Sequence, residues 1–296
     1  MKPLTEGCSA LKPITDAARA LDVIREATEL VRDDPNRRGS LLTFGNAGQV
    51  VMTGDLHGNL ANLAKLQRFC ALERSPGRYV ILHELIHAEP TRPQEPDLSI
   101  DLLLTALDWK RSFPDNVFFL QSNHELSQAL GFEITKGGRS VLHDFERGLE
   151  LRFGRDAGRV LEAVNDYILA LPLAARTASG VFMAHSLPDP LRIDAFDTGI
   201  FDRLPTAADL EPGGPGHALV WGRFHTPRDV DAFARLVSAE HLIVGHTPQE
   251  MGHTVIGRLI ILASDHNHGV FLPIDLAKRY TTEQLEAAIR KFVSVE

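Results

Sequence analysis

Gly54-Asp55-Leu56-His57-Gly58-Asn59 follows directly on the apolar run Val50-Val51-Met52-Thr53. That junction decides how the rest of the chain reads. The run predicts a strand. The glycines allow the sharp turn that must follow it. Asp55 and His57 stand two residues apart, so an irregular loop can aim both at one metal ion. Working outward, four more junctions have the same form. His83-Glu84 follows Arg78-Tyr79-Val80-Ile81-Leu82, and Asn123-His124-Glu125 comes soon after Val117-Phe118-Phe119-Leu120. His185 follows Val181-Phe182-Met183-Ala184, and Gly245-His246-Thr247-Pro248 follows His241-Leu242-Ile243-Val244. Each alone also reads as a polar strand end. Five in this order read as one site, because sheet enzymes bind ligands just beyond the carboxyl ends of their strands. Oxygen and imidazole donors together suit Mn, Fe or Zn without a cysteine.

The 296 residues are 44% hydrophobic and 24% charged, an ordinary globular composition. A formal net charge of −8 argues against broad nucleic-acid binding, which needs basic surface. Cys8 and Cys70 are the only cysteines, so no disulfide framework is expected and a cytoplasmic location is the simplest. The amino terminus lacks the apolar core of a signal peptide. Apolar runs such as Leu259-Ile260-Ile261-Leu262-Ala263 are too short to span a bilayer, so no membrane partner is expected.

Helical spacing covers residues 14–31, where Ala18, Leu21, Ile24, Ala27 and Val31 share a face before Asp33-Asp34-Pro35 ends the pattern. Residues 41–44 and 50–53 read as two strands joined by the Asn46-Ala47-Gly48 turn. Helices are expected at 62–72 and 100–109, and strands at 78–82, 117–120, 181–184, 242–244, 259–262 and 270–274. A closing amphipathic helix is expected over 281–293, with Thr282 and Glu283 near its cap. The layout predicts one α/β domain over 1–296, with a helical extension over about 1–40 and a helical insert over about 126–170.

Taken together, the motifs resemble the calcineurin-like metallophosphoesterases and, within them, the serine/threonine protein phosphatase branch. The family pattern runs G-D-x-H-G, G-D-x-x-D-R-G, G-N-H-E, a His after a strand, and a late G-H. The resemblance covers about residues 50–274. It also takes in Leu171-Pro172-Leu173-Ala174-Ala175 and Val220-Trp221-Gly222-Arg223. It implies an α/β fold of four layers, two packed mixed β-sheets flanked by helices. It implies two divalent metal ions (Mn, Fe or Zn), with Asp55 and His57 on the first, Glu84 bridging, and Asn123, His185 and His246 on the second. It implies His124 as general acid, Arg223 as a phosphate clamp and Asn59 as a substrate contact. The implied reaction is direct attack of a metal-bound hydroxide on a phosphate ester, in a phosphoprotein or a small phosphoester.

The second motif departs from the family. Its place is taken by His83-Glu84-Leu85-Ile86-His87-Ala88-Glu89. Glu84 replaces the bridging aspartate, His87 the aspartate that orients the catalytic His, Ala88 the phosphate arginine and His83 a glycine. Ser122 replaces the glycine of G-N-H-E. These changes keep three rival readings in view: an impaired metal-binding homologue that acts as an interaction module, a dinucleoside polyphosphate hydrolase, and a zinc peptidase. The last rests on His83-Glu84-Leu85-Ile86-His87, which matches H-E-x-x-H. That chemistry needs both histidines on one helix face. Here a strand precedes the motif and Pro90, Pro93 and Pro96 follow it, so a strand at 79–82 and a loop at 83–87 are expected. The turn carrying Asp265, His266 and His268 lies on the expected rim, as a polar turn, as substrate contacts or as an added metal ligand. Glu146, Glu150, Asp156 and Glu162 interleave with arginines and predict a solvated helix face.

Overall fold

The computed structural model describes residues 13–89 and 95–295. Cys8 lies outside them. The described strands are β1 (Arg37–Arg38), β2 (Leu41–Phe44), β3 (Gln49–Thr53), β4 (Arg78–Leu82), β5 (Val117–Phe119), β6 (Thr135–Lys136), β7 (Arg139–Ser140), β8 (Ala174–Thr177), β9 (Val181–Ala184), β10 (His241–Val244), β11 (His253–Ile256), β12 (Leu259–Leu262), β13 (Val270–Asp275) and β14 (Arg290–Lys291). The α-helices are α1 (Ala17–Arg32), α2 (Leu60–Cys70), α3 (Ile100–Ser112), α4 (Asn123–Leu130), α5 (Val141–Phe153), α6 (Ala157–Ala170), α7 (Ala207–Leu210), α8 (Pro215–Trp221), α9 (Pro227–Leu236) and α10 (Thr282–Ala288).

Two mixed sheets pack face to face. One runs β1-β2-β8-β9-β10-β12-β11 and the other β14-β13-β3-β4-β5. Val50 and Met52 of β3 meet Met183 of β9 and Ile243 of β10 in the core between the sheets. The intervening Val51 points the other way, into a second core with α1, α2, α3, α5 and α6. Leu242 and Val244 of β10 likewise turn outward, towards α8 and α9. The two-residue period of each strand therefore builds helix, sheet, sheet and helix as four layers. β3, β4 and β5 are parallel, and so are β9, β10 and β12. Each trio delivers its carboxyl ends to one side. A parallel bridge between Asp55 and Ala263 ties the two sheets there.

Several expectations need correction. The two strands at 41–44 and 49–53 are joined by a turn as expected, but they enter different sheets: β2 adds to β8 in parallel, and β3 lies between β4 and β13. The closing helix stops at Ala288 and is capped by Thr281, whose side chain accepts from Gln284 N. Arg290 and Lys291 instead pair with Phe271 and Val270, which lets Phe292 bury against Phe271. The sequence reading also did not anticipate β8, β11 or the helices α7, α8 and α9. The 126–170 segment contains α5 and α6 plus a small β6-β7 hairpin, and its helices pack into the same core as α1 and α3. Its charged face carries local pairs, such as Arg159 with Asp156 at 3.0 Å.

Candidate metal centre

The five junctions meet at the carboxyl ends of the two strand trios. Close approach between the sheets explains two glycines. A Cβ on Gly54 would sit 2.7 Å from Ala263 N, and one on Gly245 would sit 2.6 Å from the His83 ring and closer still to Asp55 Oδ1. His57, Glu84 and His246 adopt positive φ angles of 39°, 50° and 67°. Strained non-glycine backbone of this kind costs on the order of 1–3 kcal/mol per residue and persists where its surroundings enforce it.

His185 Nε2, His246 Nδ1, Asn123 Oδ1 and Glu84 Oε2 converge. His185 Nε2 lies 2.7 Å from Asn123 Oδ1, 3.2 Å from His246 Nδ1 and 2.9 Å from Glu84 Oε2. His246 Nδ1 lies 3.0 Å from Asn123 Oδ1. Four donors around a tetrahedral ion at 2.0–2.2 Å would be about 3.3 Å apart, so these spacings suit a cation. Glu84 Oε2 is buried and makes no hydrogen bond despite its closeness to His185, which is the donor chemistry a metal would satisfy. The other oxygen, Glu84 Oε1, lies 3.0 Å from His57 Nε2 and 3.8 Å from His124 Nε2. Asp55 Oδ1 accepts from His246 N at 2.9 Å and lies 3.7 Å from His185 Nδ1. Two groups therefore have ligand atoms within 4.8 Å of one another: Asp55, His83 and His185, and His57, Glu84 and His124. All six residues expected at the metals come together, and Glu84 touches both halves.

The electrostatics follow from burial. Burial, reinforced by Glu84, pushes Asp55 up to about 7. Burial opposes charge on His57, but the adjacent Glu84 carboxylate outweighs it and lifts His57 to about 9. Glu84 is buried too, yet His185, His124 and His57 hold it well below the usual carboxylate range. Burial drives His83 down to about 3 and His87 down to about 4, so both are neutral at pH 7. The buried Glu84 carboxylate thus has a cationic neighbour at neutral pH, His57.

The altered second motif is a loop after β4, as expected, and its histidines point apart. His83 reaches His185, and His87 reaches His124. No helix presents both to one zinc ion, which removes the geometric basis of the peptidase reading. Two braces of this loop were missed from sequence. Glu125 Oε1 accepts from Leu85 N at 2.6 Å and from Ile86 N at 3.3 Å, while its other oxygen binds the Ser122 hydroxyl. Ser99 Oγ accepts from His87 N at 3.0 Å. Ser122 also caps α4, the helix that carries Asn123 and His124. Nothing in the one-dimensional pattern marks Ser99. Glu125 stands inside a quoted motif.

Arg223 is exposed above the centre. Its Nε lies 2.9 Å from His246 Nε2, and a terminal nitrogen donates to the His246 carbonyl at 3.2 Å. Arginine only donates, so His246 Nε2 accepts from it and the His246 proton sits on Nδ1. A metal ion on His246 Nδ1 would take the place of that proton. Asn59 caps α2 by accepting from Asn62 N at 3.0 Å and donates to the Asp265 carbonyl at 2.9 Å. It also lines an open cleft of about 440 Å³ beside His57, with Ala88, Asp97 and Asp265. His266 is turned away, bound to the Gln249 carbonyl at 2.9 Å, and the 265–268 turn stands outside the converging donors.

A model of the calcineurin-like phosphoesterases matches residues 48–250. The chain belongs to the calcineurin-like phosphoesterase family. Among solved structures, it is similar to a protein serine/threonine phosphatase from Saccharomyces cerevisiae with similarity to human phosphatase PP5. That match has 17% identity over 95% of this chain and 90% of that one, with a TM-score of 0.70. It is also similar to a cold-active protein tyrosine phosphatase, at 14% identity over 84% and 78% with a TM-score of 0.55. The cold-active protein-tyrosine phosphatase of a psychrophilic Shewanella sp. matches at 13% identity over 84% and 80%, with a TM-score of 0.51. At such identities the likeness speaks for the fold. No curated protein sequence matches. Among the described residues, no helix is long and apolar enough to cross a membrane.

Proposed function

We propose that the chain is a metal-dependent phosphoesterase that hydrolyses a phosphate monoester, carried by a phosphoprotein or a small molecule, in the manner of the protein phosphatases. The observation that carries this reading is Glu84. One of its oxygens is buried without a hydrogen bond among Asn123, His185 and His246, and the other faces His57. Asp55, His57 and Glu84 would hold a first divalent ion, and Glu84, Asn123, His185 and His246 a second, with Mn, Fe or Zn fitting the donor set. Such ions acidify the attacking water and neutralise phosphoryl oxygens. The chain itself supplies orientation. His124 presents Nε2 beside Glu84, where it can hand a proton to the leaving oxygen. Arg223, exposed above His246, offers a planar fork to phosphate oxygens, and Asn59 offers an amide at the cleft wall. We place the protein in the cytoplasm on its cysteine content.

The test is hydrolysis of 4-nitrophenyl phosphate by Mn-loaded protein. Asp55→Ala and Asn123→Ala should lose both metal and turnover. Arg223→Ala should chiefly raise KM if it binds phosphate equally in the ground and transition states. Protein that holds two metals yet turns over no phosphate mono- or diester would replace this reading with a non-catalytic binding module.

A further inference from the structure

Two buried imidazoles outside the proposed ligand set are pinned in the same way. His83 Nε2 lies 2.9 Å from the Thr53 carbonyl. A carbonyl only accepts, so the His83 proton is on Nε2 and its Nδ1 is a lone pair. That lone pair is 2.9 Å from His185 Nδ1. The bond therefore needs a proton on His185 Nδ1, which leaves His185 Nε2 for the site it shares with Asn123, His246 and Glu84.

His87 repeats the arrangement one turn of loop later. Its Nε2 lies 2.8 Å from Gln128 Oε1, and its Nδ1 lies 2.9 Å from His124 Nδ1. His124 then carries its proton on Nδ1 and keeps Nε2 towards Glu84. Positive φ angles at Glu84 and His87, 50° and 62°, turn the loop so that its first and last histidines reach different targets. Both side chains are about 1% exposed, so water does not compete for these bonds.

We propose that His83 and His87 are positioning residues, a matched pair of neutral acceptors that fix the protons of His185 and His124 on Nδ1 and free each Nε2 for the phosphoesterase centre. The hydrogen-bond directions stand on the geometry alone, and the catalytic consequence rests on the phosphoesterase reading. A neutral acceptor orients an imidazole but supports its doubly protonated form less than a carboxylate would. The preferred substrates are therefore esters whose leaving group hardly needs a proton, aryl phosphates ahead of alkyl phosphates.

The decisive experiment records long-range 1H–15N spectra of the histidine rings in the Zn-loaded protein at pH 8, assigned with single His→Gln variants. Nε2–H forms at His83 and His87, with Nδ1–H at His124 and His185, are expected. An Nδ1–H form at His83 or His87 overturns the inference. A second arm measures turnover. His87→Asp should raise alkyl phosphate turnover by about tenfold or more, with aryl phosphate turnover changed by less than about threefold, since an outer partner of this kind is worth ~10–100-fold. Equal changes on both esters would reduce His87 to a packing residue. If the wild type turns over neither ester, the phosphoesterase reading fails while the spectra still decide the proton positions. If it turns over aryl phosphate with the tautomers reversed, the positioning inference fails alone.

Discussion

Gly245→Ala probes the assembly of the centre without removing a single ligand. Gly245 does not have a positive φ, so alanine is free to adopt its backbone. The obstacle is space. The new Cβ would lie 2.6 Å from His83 Cε1 and closer to Asp55 Oδ1, where ordinary contact begins at 3.4 Å. Neither neighbour can retreat freely. His83 is tied to the Thr53 carbonyl and His185, and Asp55 to His246 N. Relief therefore requires a shift of about 1 Å, and misplacement on that scale costs on the order of 100-fold in rate. We expect a folded protein with kcat/KM down about 100-fold, as that scale implies, and with less than full metal content by elemental analysis. Gly158→Ala in α6 is the control. Nothing lies within 4 Å of its Cβ, and it should gain up to about 1 kcal/mol in urea unfolding. A Gly245→Ala protein with full metal and kcat within about threefold of wild type, far short of that penalty, would refute the close approach of the two sheets at this point.

Three further outcomes are expected. Glu125→Ala removes the brace of the 83–87 loop and should weaken metal binding by ~10–100-fold, measured by competition with a chelating dye, although Glu125 touches no proposed ligand atom. Asp34→Ala leaves Lys110, about 1% exposed, without its 3.0 Å carboxylate partner and should cost about 3–5 kcal/mol in chemical unfolding. Burial pushes the Cys70 thiol up to about 12, against the pull of Arg78, so the folded protein keeps a proton that the unfolded chain releases near pH 9. Wild-type stability should therefore fall relative to Cys70→Ala as pH rises through 9 towards 12, by about 1.4 kcal/mol per unit, in paired unfolding curves at pH 8 and pH 10.

The strand ends that carry the site were legible because each buried strand is a short apolar run stopped by a polar residue that cannot continue it. β4 appears with the predicted bounds, and β3, β10 and β13 with one residue more at an end. Partnership was not legible. Only four residues separate β2 from β3, a hairpin-sized gap, yet both strands bury apolar side chains on two faces and so join different sheets. The closing helix was overextended because residues 289–293 keep an amphipathic spacing, whereas Arg290 and Lys291 are claimed by β13. β8 was missed because Ala174-Ala175-Arg176-Thr177 has no strong strand former until its end. Within the site, the six ligand candidates came from a pattern. The second contacts did not: His83 and His87 replace a glycine and an aspartate, and only the three-dimensional pairing gives them a task.

In the proposed centre, two sheets aim one set of donors at two adjacent ions. The most direct measurement is anomalous diffraction from crystals of the Mn-loaded protein. Two peaks are expected within about 4 Å of each other, with Glu84 touching both, Asp55 and His57 on one, and Asn123, His185 and His246 on the other. Full-length protein with no ion at Glu84, or with a single ion held by His83 and His87, would contradict this arrangement.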